Sequence, residues 1–193
     1  MQDTEKNSVK KNFAVLKSRF ELPVQGQKII AYICLKIDPD DPEQEIITLS
    51  VQEFSKACGS QKQCGSVYHR TKEIINKLAE CILVGESEKI PVQWIDRAWM
   101  NIGSGTVKIK IAPEMKPYFY ELRQRITPSQ LKNMLKMNSK YSIQLFELLK
   151  SCEHQKIASV RVDRLKKFLM IDKIKSYEDF GRFNLNGQEV PRL

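Results

Sequence analysis

The apolar residues between Val24 and Ile37 recur at the spacing of an α-helix. Positions 29, 30, 33, 34 and 37 are all apolar, and steps of three and four residues place them on one helical face. The next segment, Asp38–Pro42, contains two prolines, which cannot continue a helix. The pattern therefore predicts a half-buried helix over Val24–Ile37 that ends at a proline-rich turn.

A short strand and two further helices follow in the first half of the chain. Glu45–Leu49 has strand character, and Ser50 comes next with Glu53 three positions later. That spacing is typical of a capping box at the start of a helix, here Val51–Cys58. After a turn containing glycines, Ser66–Cys81 repeats the helical spacing. The order helix, strand, helix, helix is that of a winged helix-turn-helix, whose third helix can lie in the DNA major groove.

The middle of the chain predicts a small β-sheet. Four segments have strand character: Ile82–Val84, Ile90–Ile95, Trp99–Ile102 and Val107–Ile111. The last alternates apolar and cationic residues, as in a strand with one exposed face, and Gly103–Gly105 forms the turn before it. We interpret Trp94 and Trp99 as packing residues rather than a base-stacking platform, and as anchors of a dimer interface, because large aromatic side chains often dominate interfaces.

The second half repeats the same order of elements. Helical patterns cover three segments: Pro113–Arg125, 128–137 and Ser139–Cys152. Val160–Val162 then predicts a short strand, Asp163 can cap a helix over Arg164–Met170, and a last helix is expected from Tyr177. Thr127 and Pro128 have the residue types of a helix start. We therefore predict an α+β fold of two tandem winged helices, the first over residues 13–125 and the second over residues 126–193.

The net charge of +9 is unevenly distributed along the chain. Residues 1–126 hold 19 Lys and Arg against 16 Asp and Glu, whereas residues 127–193 hold 13 against 7. A basic segment beside a near-neutral one is typical of a nucleic-acid-binding protein, although a solvated basic face would have the same composition. The candidate DNA-binding residues are Lys62, Arg70, Lys72, Arg161, Arg164, Lys166, Lys167, Lys173, Lys175 and Arg182. Arg182 is the candidate for reading a guanine edge.

Several classes of chemistry have no support in the sequence. The five cysteines form no CxxC pair and the two histidines stand far apart, so neither a metal site nor a histidine-based nickase is indicated. No phosphate-binding loop or nucleophile elbow occurs. The first residues are polar, and no apolar run approaches the roughly 20 residues of a membrane helix. We therefore expect a cytoplasmic protein that is not an enzyme and has no cofactor, metal or membrane segment.

Seven stretches, in order along the chain, carry a more specific signal. They are Leu16–Leu22, Gln27–Ile30, Trp99, Phe119–Thr127, Ser139–Leu149, Val162–Lys166 and Tyr177–Phe180. Together they resemble the theta-type plasmid replication initiators, the Rep proteins that bind iteron repeats at a plasmid origin. The most specific is Lys140–Leu149, which is similar to a Lys-Tyr-Ser-x-x-Leu-Tyr-Glu-Leu-Leu run of that family.

The resemblance implies two winged-helix domains with different roles. The first would dimerise and touch the DNA backbone, and the second would make most base contacts. Dimers would repress the initiator's own promoter at an inverted repeat, whereas monomers would bind iterons and open the origin with host replication proteins. After Phe180 the family usually continues with a basic helix and a wing, but here Gly181 and Gly187 interrupt the helix and Leu193 is the last residue. We therefore expect the second winged helix to be incomplete.

Two functions remain open from the sequence. One is a sequence-specific initiator and autorepressor that binds double-stranded DNA. The other is a dimerising fragment that acts through protein–protein interaction without specific DNA binding.

Overall fold

The computed structural model describes residues 21–41, 43–59, 64–80, 82–84, 90–151, 161–169 and 171. The chain divides into two compact units, residues 1–136 and residues 137–193. The sequence placed this boundary about ten residues earlier, after residue 125. The last helix of the first unit, described below, accounts for the difference.

The first unit begins with the predicted order of helix, strand, helix, helix. These are α1 (Val24–Lys36), β1 (Ile46–Ser50), α2 (Val51–Ala57) and α3 (Cys64–Ala79). Each lies within two residues of its predicted bounds. Helix α1 is the central element, because every residue from Gly26 to Cys34 is buried. The prediction of a half-buried helix is therefore wrong for this stretch, which is covered on all sides. Helix α1 packs against helix α3 and strand β1.

Four strands follow α3 and form two separate antiparallel pairings. They are β2 (Ile82–Val84), β3 (Ile90–Val92), β4 (Ile95–Asn101) and β5 (Thr106–Ile111). Strands β2 and β3 pair as a two-stranded hairpin, whereas β1, β5 and β4 form a sheet in that order. The expected strand Ile90–Ile95 is therefore wrong as one element. It breaks at Gln93, whose side-chain amide donates to the carbonyls of Ala79 and Ile95.

The three-stranded sheet has one buried and one exposed face. Alternation places Val107, Ile109 and Ile111 of β5 in the core, with Lys108 and Lys110 on the other face. Ile47 and Leu49 of β1 oppose Ile109 and Val107 and complete the buried layer. The alternating pattern of apolar and cationic residues in the sequence therefore identified the two faces correctly.

Two helices complete the first unit. After a 3-10 turn over Pro113–Met115 come α4 (Lys116–Arg125) and α5 (Pro128–Lys136). Thr127 caps α5 as predicted: its hydroxyl accepts from Gln130 N, and its own N–H donates to the Gln130 side chain. Leu131 and Leu135 of α5 are fully buried, and α5 packs on α1. This packing is why α5 belongs to the first unit rather than the second.

The second unit is described over two helices, α6 (Lys140–Ser151) and α7 (Val162–Phe168). The predicted strand Val160–Val162 is wrong at Val162, which is the first residue of α7. Asp163 consequently lies inside the first turn instead of capping the helix, and its carboxylate accepts from Arg161 Nε at 3.1 Å. The helix expected from Tyr177 lies outside the described residues.

Candidate nucleic-acid interface

Helix α3 is the helix that a winged helix-turn-helix presents to DNA. Thr71, Ile75 and Leu78 are buried against the rest of the unit. The opposite face is exposed and includes two of the predicted DNA-binding residues, Arg70 and Lys72. Neither has an ion-pair partner among the residues that the structure describes.

Arg70 and Lys72 lie on opposite edges of that exposed face. At 3.6 residues per turn, positions two apart are separated by about 160° around the helix axis. Lys77, exposed and also without an ion-pair partner in the described part of the chain, lies seven residues after Arg70 and within about 20° of it. One edge of α3 therefore carries Arg70 with Lys77, and the other carries Lys72.

The middle of the exposed face of α3 is polar rather than cationic. His69 Nδ1 lies 3.5 Å from Glu73 Oε1, one turn further along, and Asn76 is exposed on the same face. Asn is suited to hydrogen bonding with an adenine edge, and the flanking cations to phosphates. The sequence singled out Arg70 and Lys72 but missed Lys77, which its seven-residue spacing from Arg70 would have identified.

Helix α2 is fixed to α1 by a cluster of polar and aromatic contacts. Glu53 Oε2 accepts from the Tyr32 hydroxyl at 3.2 Å and from Lys36 Nζ at 3.3 Å. The Tyr32 and Phe54 rings meet edge to face at 5.4 Å. Burial, followed by the nearby Glu53 carboxylate, raises the pKa of Tyr32, so its hydroxyl remains a donor. The hydrogen bond from Lys36, with the one from Tyr32 second, lowers the pKa of Glu53.

The capping box at α2 is present in one direction only. Ser50 Oγ accepts from Glu53 N at 3.3 Å, as the sequence predicted. The Glu53 side chain, however, is engaged with Tyr32 and Lys36. Glu53 therefore connects two helices, and α2 is held in place relative to α1.

The β4–β5 hairpin occupies the position of the wing. Helix α3 packs beside β4, and Trp94 N donates to Leu78 O at 3.1 Å. On the exposed face of the hairpin, Trp99 lies directly across from Lys108. Arg97 lies two residues before Trp99 and is also exposed. Arg97 and Lys108 have no ion-pair partner among the described residues and were not singled out from the sequence.

Lys110, on the same face as Lys108, has its charge compensated within the protein. Its Nζ lies 3.7 Å from Glu45 and 3.6 Å from Asp96. Glu45 also accepts from Lys116 Nζ at 2.9 Å. The hydrogen bond from Lys116 and the positive charges of Lys116 and Lys110 lower the pKa of Glu45. This network joins the residue before β1 to β4, β5 and α4, and it leaves Lys110 less available than Lys108.

The two tryptophans have different environments. Trp94 is completely buried, with its ring edge-to-face against Tyr118 at 5.4 Å and Phe119 at 6.0 Å. It has no surface with which to contact a second molecule, so its expected role as an interface anchor is not supported by its position. Trp99 is 43% exposed and remains a candidate anchor.

The candidate residues of the second unit lie around α7. Arg161 and Arg164 are exposed and Lys166 is half-buried. Arg161 is paired with Asp163, which reduces its local positive charge. Lys167 is part of α7. The other predicted positions lie outside the described residues: Lys62, Lys173, Lys175 and Arg182.

The described residues include neither a metal-binding cluster nor a membrane-spanning helix. They contain no group of three His, Cys, Asp or Glu side chains placed to hold a metal ion. Among them, no helix is long and apolar enough to cross a bilayer.

The element order α1, β1, α2, α3 and the β4–β5 hairpin defines the first unit as a winged-helix domain. The WH1 domain of the initiator replication proteins matches residues 8–150. The chain therefore belongs to the initiator replication protein family, as the sequence resemblance indicated.

The crystal structure of Pi initiator protein in complex with iteron DNA has the same fold, with a TM-score of 0.61 and 18% sequence identity. The match covers 88% of this chain and 78% of that one. No curated protein matches the sequence.

Proposed function

We propose that this protein is a plasmid replication initiator that binds double-stranded iteron DNA at the origin. As a dimer, it represses its own promoter at an operator inverted repeat. It acts by binding DNA rather than by catalysis and needs no cofactor. It acts in the cytoplasm, together with host replication proteins. The observation that carries the proposal is the exposed face of α3, where cations without ion-pair partners in the described residues flank a polar strip. The chain also belongs to a family of replication initiators.

The first support for DNA binding is the arrangement of charge on α3. Phosphates line both sides of the major groove, and Arg70 with Lys77 on one edge and Lys72 on the other would face the two backbones. Asn76, between these edges, is placed to contact a base. The second support is that the Pi initiator protein, which shares the fold, was crystallised with iteron DNA.

The test is a salt titration of binding to a duplex that the protein itself selects from a random-sequence library. The double variant Arg70→Ala, Lys77→Ala removes two phosphate contacts, and each is expected to lower the slope of log K against log salt by about 0.9. The matched control Lys132→Ala removes an exposed lysine from α5. An unchanged slope in the double variant would contradict the role of α3. Failure to enrich any duplex would favour the alternative, a dimerising fragment without specific DNA binding.

The cations of the second unit are expected to add affinity without adding sequence preference. Their combined substitution should lower both affinity and salt slope and leave self-association unchanged, because cations bind phosphates by counterion release. The residues to change are Arg161, Arg164, Lys166 and Lys167. A quadruple variant with the wild-type slope would exclude this contribution.

Self-association is proposed to use the strands between Ile82 and Ile111. In the described sheet β4 is an edge strand that pairs with β5 on one side only, and an edge strand can pair with a strand of a second chain. Trp99, half-exposed on β4, is the candidate anchor because aromatic residues dominate interfaces. A two-fold dimer would match an inverted-repeat operator.

Sedimentation velocity over a range of salt tests the dimer directly. Trp99→Ala is expected to shift the equilibrium toward monomer by at least 1 kcal/mol, the order of a hot-spot truncation. A wild-type protein that stays monomeric at tens of micromolar would contradict the dimer, and hence repression by a dimer.

A further inference from the structure

The tip of the β4–β5 hairpin is narrow and carries one large side chain. Ile102 is 79% exposed, more than any other large hydrophobic residue that the structure describes. The rest of the turn is Gly103, Ser104 and Gly105. A methyl group added at Gly105 would meet no atom within 4 Å, and one at Gly103 would meet only Asn101 Oδ1, at 3.6 Å. Both glycines therefore have open space where a side chain would be.

The tip is also held in one conformation by hydrogen bonds. Asn101 Oδ1 accepts from Ser104 N at 3.2 Å, and Gly105 N donates to Ile102 O at 3.3 Å. The Ser104 and Thr106 hydroxyls lie 2.7 Å apart. Gly105 has a φ of +61°, which favours glycine, and its carbonyl accepts from Val51 N at 3.0 Å. Ile102 thus lies in a turn that has internal hydrogen bonds and is hydrogen-bonded to the first residue of α2.

A single exposed apolar side chain does not indicate a binding site by itself, because most protein surfaces carry several such side chains. Three further features distinguish Ile102. Beyond Ile102 the turn carries no side chain larger than that of serine, which suits entry into a minor groove about 6 Å wide. The strands below it carry the cations Arg97 and Lys108 on one exposed face, where they could contact the phosphates of one DNA strand. The hairpin also packs beside α3, the helix proposed to contact DNA.

We propose that Ile102 is a wedge that inserts between two base pairs from the minor groove and unstacks that step. Apolar side chains, isoleucine among them, act in this way in proteins that kink DNA. Pyrimidine–purine steps would be preferred because they unstack most easily. The proposal rests on the proposed binding of duplex DNA and adds a means by which binding weakens the duplex locally.

The experiment uses the full chain and a short duplex that the wild-type protein has selected from a random-sequence library. 2-Aminopurine, whose fluorescence rises when its stacking is lost, replaces each adenine in turn, and the signal is read at saturating protein. Ile102→Ser removes the wedge and Ile102→Leu retains an apolar one. The matched control is Ile46→Ser, since Ile46 is 49% exposed on β1, away from the tip.

The expected result is a fluorescence increase at one step with the wild type, Ile102→Leu and Ile46→Ser, and its loss with Ile102→Ser. The salt slope of Ile102→Ser should equal that of the wild type, because no phosphate contact is removed. An increase that persists in Ile102→Ser, or no increase at any step with the wild type, would overturn the wedge but leave DNA binding intact. Loss of self-association in Ile102→Ser with unchanged unstacking would also overturn it, by assigning the tip to a protein interface. Failure to select any duplex would overturn the proposed DNA binding first, and the wedge with it.

Discussion

Replacing each tryptophan in turn by alanine should separate the core of the first unit from its surface. Trp94 is fully buried, and its ring packs edge-to-face against Tyr118 and Phe119. Trp99, only five positions later, is 43% exposed on the outer face of β4. The same change of residue type should therefore have very different costs at the two positions.

The size of the effect at Trp94 follows from three contributions. A buried tryptophan removes roughly 150–250 Å² from water, worth about 4–6 kcal/mol at ~25 cal/mol per Å². The two edge-to-face pairs add about 0.5–1.5 kcal/mol each. In the opposite direction, the indole N–H has no acceptor among the described residues, and removing this unpaired donor recovers roughly 1–3 kcal/mol. The last two contributions roughly cancel, so the net cost of Trp94→Ala should be about 4–6 kcal/mol, at or slightly above the upper end of the range for other large core truncations.

Urea unfolding followed by tryptophan fluorescence is the assay. The chain has two tryptophans, both in the first unit, so the signal reports on that unit alone. In each variant the other tryptophan remains as the probe. With a slope of about 2 kcal/mol per molar urea, Trp94→Ala should lower the midpoint by roughly 2–3 M, and Trp99→Ala by about 0.5 M or less. Trp94→Phe keeps an aromatic ring and removes the unpaired N–H, so its cost should be intermediate.

Midpoints in the reverse order would refute the assignment of Trp94 to the core. Equal, small shifts for both alanine variants would mean that the aromatic cluster around Trp94 is not what stabilises the unit. A change in slope rather than midpoint would indicate an altered unfolded or partly folded state, and the comparison would then rest on Trp94→Phe.

Three further predictions concern local interactions and the unit boundary. Ser50→Ala should destabilise the first unit by about 1 kcal/mol in the same urea assay, whereas Ser50→Asp, which keeps an acceptor for Glu53 N, should cost less. The pKa of Glu53 is lowered from 4.5 in the folded protein, so its contribution is present above that value and is lost as pH falls through the folded-state pKa. The difference in stability between wild type and Glu53→Gln should therefore shrink on acidification, and a constant difference would contradict the Lys36 contact. Limited proteolysis should leave a fragment that ends after α5, near residue 136, and main cleavage within the β4–β5 hairpin would contradict a stable first unit.

The sequence predicted those parts of the fold in which local chemistry decides the structure. The helical spacing of α1, the caps Ser50 and Thr127, and the alternation in Val107–Ile111 all depend on residues a few positions apart. Each was confirmed, because capping and face selection need little tertiary information.

Where the structure differs from the sequence prediction, the physical cause is that a local pattern does not identify its packing partner. α5 was recognisably amphipathic, but nothing local indicated that Leu131 and Leu135 pack on α1. The Val160–Val162 alternation was too short to distinguish a strand from the first turn of α7. At the tryptophans, the strand begins only at Ile95 and its register shifts between Ile95 and Arg97, so alternation could not indicate which indole was buried.

The candidate site was predicted less completely than the fold. Residue type and position sufficed to propose Arg70 and Lys72, but not to show that they lie on opposite edges of α3. Arg97 and Lys108 became candidates only once the sheet register placed them on an exposed face without ion-pair partners. Lys110, with the same residue type two positions along, has its charge compensated by Glu45 and Asp96.

The order of strands in the three-stranded sheet has a consequence for how the protein is made. Strand β1 pairs with β5, so residues 46–50 find their hydrogen-bonding partners only in residues 106–110. At synthesis rates of about 5–20 residues per second, the ribosome needs several seconds to add the intervening chain. During that interval β1 carries Ile47 and Leu49 with no strand to cover them, a segment open to incorrect pairing. Folding of the first unit in the cell is therefore completed late, when β5 has been synthesised, and conditions that slow translation between β1 and β5 should lower the yield of folded protein.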